Sequence, residues 1–296
     1  MSRIKSGAYK EALLGYTFLL PSLAGFSLFL FYPFFKSIYL SLHRMNPRGQ
    51  VLEFIGFTNF IEIFESGQFI NSIKTSLYLA VLTIPAIIVI ATLLAMLTSK
   101  KSRFNAVMQF VFASTLAIPI ANASAIWKFL FHPSSGIFNH FLGFFNIPPI
   151  GWLVDPKFAL ISISIMTIWL SLGFAYLIIL SGVKGVPVDL YESAKIDGAG
   201  PIRTAFNITV PLISPVLFFV SVISVISSLQ TFAQINILTK GGPMYTTNVA
   251  VYDLYQEAFI NYRFDTGSAQ ALVLFLIILI FTVIQFRLGE RKVHYS

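Results

Sequence analysis

The sequence contains no cysteine and has few charged residues. Only 11% of its 296 residues are charged, whereas a soluble domain averages roughly 25%. The absence of cysteine excludes disulfides, thiolate metal sites and a cysteine nucleophile. Hydrophobic residues make up 56% of the chain, and the mean hydropathy is +0.79. So much apolar surface is buried more easily in a bilayer than in a soluble core, which indicates a membrane protein.

The sequence also lacks the groups that would power or catalyse a reaction. No acidic residue lies deep in an apolar run, and no G-x-x-x-x-G-K-[ST] phosphate loop is present. Proton-coupled carriers place titratable groups in the membrane, and P-loop ATPases need that loop. The histidines show no metal-ligand spacing, and no Ser/His/Asp set stands out, so we predict a non-enzyme without metal or cofactor. Sodium coupling through backbone carbonyls stays open. Asp253, Glu257 and Asp265 are expected to be solvated loop charges.

Six apolar runs have the length of about 20 residues that a membrane-spanning helix needs. We therefore predict an all-α, polytopic membrane protein with a single transmembrane domain over residues 1–296. The predicted spans are 12–34, 73–97, 106–131, 158–180, 210–238 and 267–286.

The basic residues predict the orientation of these spans. Short segments on one side, including both chain ends, hold 12 of the 20 Lys and Arg residues. Positive charge is concentrated in cytoplasmic segments. We therefore expect a multi-pass protein of the inner (cytoplasmic) membrane with both termini cytoplasmic. The net charge of +8 then reflects topology and requires no nucleic-acid partner.

The loop 185–209, between the fourth and fifth spans, contains signals for two short helices. Asp189 is expected to cap a helix over 190–197, with Glu192 in capping-box position. Gly198 and Gly200 suit a sharp stop, because glycine adopts positive φ or permits close backbone approach. A second helix is expected over 203–210. A loop that only connects two spans needs no such detail, so the pattern predicts docking to another protein.

The same loop resembles the EAA loop of binding-protein-dependent ABC permeases. The resemblance rests on Glu192-Ser-Ala-Lys-Ile-Asp-Gly-Ala, followed by Phe206, Ile208, Pro211 and Pro215. Ser193 and Val210 depart from the family pattern, and both changes are small. The resemblance implies that an ATPase subunit docks on this loop through Glu192, Ser193, Ala194, Asp197 and Gly198.

The resemblance extends over most of the chain. Leu19-Leu-Pro-Ser-Leu, Gly56-Phe-Thr-Asn-Phe and Leu238-Thr-Lys-Gly-Gly-Pro resemble segments of the maltose-type carbohydrate permeases, in particular the first permease subunit. This family implies an ABC importer permease fold, a second permease subunit in a heterodimer and an external solute-binding protein. It also implies two ATP-binding subunits, which hold ATP and Mg, and a sugar-like substrate.

Uncharged polar residues follow the fourth and fifth spans at helical spacing and predict a path for a neutral polar solute. Hydroxyl groups and aromatic faces bind sugars, and steps of three, four and seven share one helix face. The alternative is that these small polar residues join helices within the membrane. The predicted lining residues are Ser171, Phe174, Ser224, Ser227, Ser228 and Thr231.

Two other functions stay open beside the ABC importer permease. The chain could be a stand-alone secondary transporter of a polar solute, or a membrane scaffold without a transport path. A permease should copurify with an ATPase, a secondary carrier should transport when reconstituted alone, and a scaffold should do neither.

Overall fold

The protein is described by a computed structural model that covers residues 2–289, with side chains from residue 14 onward except at 288. The predicted cytoplasmic ends fall partly outside this range, at residue 1 and at 290–296. The described chain is mainly helical, which confirms the all-α class. Its α-helices are α1 (Ser2–Phe26), α2 (Tyr32–Ser41), α3 (Thr58–Glu65), α4 (Gln68–Thr98), α5 (Arg103–Ala113), α6 (Ile120–Leu130), α7 (Ile137–Gly143), α8 (Ala159–Gly185), α9 (Val188–Ile196), α10 (Pro201–Thr204), α11 (Val210–Leu212), α12 (Ser214–Leu229), α13 (Ala233–Leu238), α14 (Ala250–Tyr255) and α15 (Phe264–Gly289).

Shorter elements interrupt the helices. π-Helical turns occupy Ser27–Phe31, Ala205–Thr209 and Gln256–Ile260, and a 3₁₀ turn occupies Ser114–Ala117. Strands β1 (His43–Met45) and β2 (Val51–Phe54) form an antiparallel hairpin that the sequence reading did not predict.

Five helical segments are long and apolar enough to cross a membrane as single spans. They are Leu14–Ser41, Gln68–Thr98, Ala159–Gly185, Ser214–Leu238 and Phe264–Arg287. A sixth candidate is the bent pair Arg103–Ala117 and Ile120–Leu130, whose axes differ by 105°. The total of six spans therefore stays a prediction.

The third predicted span, 106–131, is wrong as a continuous helix. Ile118 is extended, with φ −91° and ψ 118°, because the residue before a proline is disfavoured in helical conformation. Pro119 then precedes the new helix α6. The fifth predicted span, 210–238, is also interrupted, since α12 ends at Leu229 and α13 begins at Ala233.

The described chain divides into two compact units. One contains the residues up to Ser66 together with Leu254–Val273, and the other contains Gly67–Asp253 together with the segment from Leu274 onward. The single permease domain stays a prediction.

In the first unit, polar contacts tie the hairpin to segments that are distant in sequence. The Asn59 amide donates to the carbonyl oxygens of Ser41 and His43. The Asp265 carboxylate accepts the Met45 N–H at 2.9 Å. Asp265 is 7% exposed, so its predicted role as a solvated charge is wrong.

The same correction applies to the other two carboxylates. Glu257 lies 3.3 Å from Arg263, and its side chain is mostly covered. In the second unit, Asp253 is 1% exposed and accepts hydrogen bonds from Gln68 at 2.7 Å and Asn248 at 2.8 Å. A buried charge is tolerated when it is hydrogen-bonded in this way.

The core of the second unit is formed where α8 packs on α4 and α12. Ala91 and Ala95 on α4 are fully buried against Tyr176 and Ile179 on α8. Small residues allow helices to approach closely in a membrane. The Tyr176 hydroxyl also lies 2.7 Å from the Thr98 hydroxyl, so a polar contact joins the two helices as well.

Gly173 on α8 permits close contact with the bend before α6. A Cβ at this position would collide with the Thr115 hydroxyl and lie 2.9 Å from the backbone nitrogen of Leu116. Glycine is therefore required here by space, because the 3₁₀ turn packs directly on the backbone of α8.

Candidate coupling helix and transport path

The predicted docking helix is present as α9, but it starts earlier than expected. Pro187 occupies the N-cap position, and no side chain caps the helix. The predicted Asp189 cap and its capping box with Glu192 are therefore wrong. Asp189 lies in the first turn and Lys195 in the last, where each charge complements the helix dipole. A proline with φ −55° and ψ 132° starts the helix without a side-chain acceptor.

The end of α9 is a Schellman turn. The Gly198 N–H donates to the Lys195 carbonyl at 3.2 Å, and the Ala199 N–H donates to the Ala194 carbonyl at 2.9 Å. Gly198 has φ +71°, the left-handed conformation that this motif requires. A Cβ at Gly198 would meet nothing within 4 Å. Within this chain, position 198 therefore requires glycine because of its backbone conformation, and not because another atom approaches it closely.

Two contacts fix α9 to the rest of its unit. Ala194 is 7% exposed, and the Tyr191 hydroxyl lies 3.2 Å from the buried Thr209 hydroxyl. Thr209 ends the π-helical turn at Ala205–Thr209. The prediction of a regular second helix over 203–210 is therefore wrong. Pro201–Thr204 (α10) is α-helical, but the following residues, Ala205–Thr209, are π-helical.

The remaining predicted coupling residues lie on the open side of α9. Glu192, Ser193, Asp197 and Gly198 are exposed, whereas Ala194 faces inward. A cavity of about 290 Å³ opens between α9 and the following segment. Its lining includes Leu190, Ser193, Asp197, Arg203, Thr204 and Asn207. The exposed surface of α9 also includes Ile196, which is 87% exposed, so the side that the chain leaves uncovered is partly polar and partly apolar, as a protein-docking surface would be.

The two interrupted spans meet each other, because α6 packs on α13. In transporters, discontinuous helices mark the region where substrate is handled. Asn122 on α6 and Gln230 in the break before α13 are both exposed. The sequence reading did not select either residue, although Pro119 was a signal for the first break.

The predicted lining residues fall into two groups. Ser227 and Phe174 are exposed, and Ser171 and Ser224 are partly exposed. Ser228 and Thr231 are 4% and 5% exposed.

The covered residues contact other helices or their own backbone. Ser228 lies 3.2 Å from the Thr83 hydroxyl, and Thr231 donates to the Ser227 carbonyl at 3.3 Å. Farther along the stripe, Ser221 accepts from Gln285 at 2.6 Å. Part of the polar stripe therefore joins helices, and the lining role of the exposed residues stays a prediction.

The described residues contain no group of three or more His, Cys, Asp or Glu side chains that could hold a metal ion. In the described α12 and α13, every residue is uncharged. The chemistry available in this region is hydrogen bonding and apolar contact.

Comparisons with known proteins agree with the geometry. Residues 87–294 match the family model described as "Binding-protein-dependent transport system inner membrane component". The chain is 33% identical over 286 residues to the sn-glycerol-3-phosphate transport system permease protein UgpA of Yersinia enterocolitica, covering 96% of each protein. It is 30% identical over 291 residues to the protein of that name from Salmonella typhimurium, covering 97% of this chain and 98% of the relative.

Solved structures show the same fold. A chain of a bacterial alginate ABC transporter, crystallised in complex with an alginate pentasaccharide-bound periplasmic protein, matches with a TM-score of 0.84 and 24% identity. A chain of a bacterial ABC transporter involved in the import of the acidic polysaccharide alginate matches with a TM-score of 0.82 and 25% identity. Each match covers 95% of this chain and 96% of the other. The chain therefore belongs to the binding-protein-dependent transport system inner membrane components: it is a membrane-spanning permease subunit of an ATP-driven ABC importer, and not an enzyme.

Proposed function

We propose that this permease subunit conducts a neutral, polyhydroxylated solute of the sugar class, delivered by an external solute-binding protein. The observation that carries the proposal is the uncharged polar surface at the two helix breaks. Ser227, Gln230 and Asn122 are exposed there. Hydroxyl and amide groups can exchange hydrogen bonds with sugar hydroxyls, and the exposed Phe174 offers an aromatic face.

The charge distribution favours a neutral solute over an anionic one. From Ala159 to Val183 on α8, and throughout α12 and α13, no lysine or arginine is present. A phosphate or carboxylate is recognised best by charge-assisted hydrogen bonds from such side chains. The relatives are named for sn-glycerol-3-phosphate, so this anionic solute is the second candidate.

The proposed assembly contains a second permease subunit and two ATPase subunits, which bind ATP and Mg. The second permease subunit is taken from the resemblance to the maltose-type carbohydrate permeases described above. The exposed face of α9 supports ATPase docking. We place α9 and both chain termini on the cytoplasmic side, as the lysines and arginines predict.

Transport by the complete complex in proteoliposomes tests the proposal. The complex should take up neutral mono- or oligosaccharides in the presence of internal ATP and the external binding protein. Uptake of sn-glycerol-3-phosphate alone would favour the second candidate. Uptake by this subunit without an ATPase would contradict the proposed assembly.

Tags at residues 1–10 and 287–296 test the orientation. Both tags should be inaccessible to a membrane-impermeant label in intact cells. Labelling of either tag from outside would reverse the topology.

A further inference from the structure

The segment between α6 and α8, residues 132–158, forms a compact hairpin that we term the outer hairpin. It lies at the start of α8, whereas the coupling helix α9 follows the other end of the same helix. Since α8 separates the two, and α9 is proposed to be cytoplasmic, the outer hairpin lies on the outer side of the membrane; the inference rests on that proposed orientation.

Asn139 holds the base of the outer hairpin. Its amide nitrogen donates to the Pro133 carbonyl at 2.8 Å and to the Ile150 carbonyl at 2.9 Å. Its amide oxygen accepts the Ile150 N–H at 3.0 Å and the Trp152 indole N–H at 2.8 Å. An asparagine side chain has two donor hydrogens and two acceptor lone pairs, so all of its hydrogen-bonding capacity is used.

Aromatic rings pack the inner side of the same hairpin. The Phe138 ring lies 5.8 Å from Trp127, 5.3 Å from Phe131 and 5.9 Å from Trp152 between ring centroids. Such separations are typical of favourable aromatic pairs. The hydrogen bonds and the rings together give the outer hairpin a defined inner side, and its orientation on the two spans is fixed.

The other side of the outer hairpin is apolar and uncovered. Five large apolar side chains are between 44% and 72% exposed: Ile137, Phe141, Phe144, Phe145 and Ile147. A soluble surface rarely gathers so many large apolar groups unless another phase or molecule covers them.

The composition of the segment indicates what covers this face. From Phe129 to Val154 there is no Lys, Arg, Asp or Glu. The charged residues nearest to this stretch, Lys128, Asp155 and Lys157, lie beyond its two ends in sequence, so none of them stands between the five exposed apolar residues. Apolar and aromatic side chains without a charge among them are typical of a surface at the membrane interface. The flanking helices continue the same kind of surface, since Ile126 and Phe129 on α6 and Ile161 on α8 are also exposed.

We propose that the outer hairpin lies in the interfacial layer of the outer leaflet, with its five exposed apolar side chains inserted among lipid chains below the headgroups. Aromatic residues concentrate at this depth of membrane proteins, and amphipathic elements lie there with their apolar face toward the acyl chains. Because the inner side is fixed to α6 and α8, the lipid surface sets the height of both helices in the bilayer. The partner is thus the phospholipid bilayer, rather than the second permease subunit or the solute-binding protein.

Site-directed spin labelling tests this placement, and the absence of native cysteine makes single labels straightforward. Phe144→Cys and Phe145→Cys place labels on the apolar face. Ser134→Cys is the matched control, because Ser134 is an exposed polar residue of the same segment that does not belong to the five-residue apolar face. The whole complex, reconstituted in phosphatidylethanolamine and phosphatidylglycerol vesicles, is measured with and without the solute-binding protein. An identical complex without the introduced cysteine gives the background from the other subunits.

The readout is accessibility to oxygen, which concentrates in lipid, and to a water-soluble nickel chelate. Labels at 144 and 145 should be accessible to oxygen and protected from nickel, whereas the label at 134 should show the inverse order. High nickel accessibility at 144 and 145 would place the face in water and overturn the proposal. Low accessibility to both reagents, with or without the binding protein, would indicate cover by a protein subunit and would also overturn it. None of these outcomes depends on which solute is transported.

Discussion

Replacing Gly198 with alanine should weaken ATPase docking while the membrane spans remain inserted. Gly198 has φ +71°, and a Cβ would meet nothing within 4 Å. The added methyl group therefore causes no collision within the chain, and the cost comes from the backbone conformation alone. For an L-residue with a side chain, the left-handed conformation costs about 1–2 kcal/mol. Since about 1.4 kcal/mol corresponds to a tenfold change in an equilibrium constant, the docking affinity should fall by about 5- to 30-fold.

Two further variants separate conformation from side-chain size. Gly200 also has open space around its Cβ position, but its φ is −70°, so Gly200→Ala should leave docking unchanged. Gly198→Asn should lie between alanine and wild type, because asparagine tolerates the left-handed region better than other residues. Titration of the purified ATPase subunit against the permease in nanodiscs gives the affinities, and ATP-driven uptake gives the consequence. Equal affinities for Gly198→Ala and wild type, or an equal loss in Gly200→Ala, would refute the reasoning.

Three more predictions address the remaining sites. Glu192→Lys should reduce ATPase copurification by tenfold or more without loss of membrane insertion, because a covered charge-assisted hydrogen bond contributes about 1.5–3 kcal/mol; retention of the ATPase would contradict this role. Ser227→Trp should impair uptake with the complex intact, whereas Ser228→Trp should lower the thermal stability of the complex, because Ser228 is 4% exposed; normal uptake in a stable Ser227 variant would remove that residue from the path. Gly173→Leu should lower the unfolding temperature in detergent, while Gly185→Leu, with open space at its Cβ, should not; equal unfolding temperatures would show that the bend adapts.

Features that depend on local sequence were predictable. Hydropathy located the long helices, since bilayer thickness sets a length that a sequence can reveal. Gly198, together with Gly200, predicted the end of the docking helix, because the conformation of a glycine is a property of its own backbone. The family resemblance of the loop at 185–209 then identified the importer class, which the comparisons confirm.

Features that depend on distant partners were missed or misread. Asp265 is buried because Met45, 220 positions earlier, supplies its N–H donor. Asp253 is buried beside Gln68, 185 positions earlier. No local pattern distinguishes such carboxylates from solvated ones. The burial of Ser228 within the predicted lining was missed for the same reason. Its contact with Thr83 forms only when α12 packs on α4.

The hydrogen bond between Tyr191 and Thr209 has a mechanical consequence. It joins Tyr191 on α9 to Thr209 at the end of the π-helical turn. The chain between these two residues, which contains the Schellman turn and α10, is thereby closed into a loop. If an ATPase docks as proposed, a displacement of α9 would be passed through this segment toward Ile213, which is 1% exposed in the core and precedes α12. The Tyr191 hydroxyl, the packing of its ring on the core and the buried Ala194 together connect the docking helix to the segment that leads into the span with the second break.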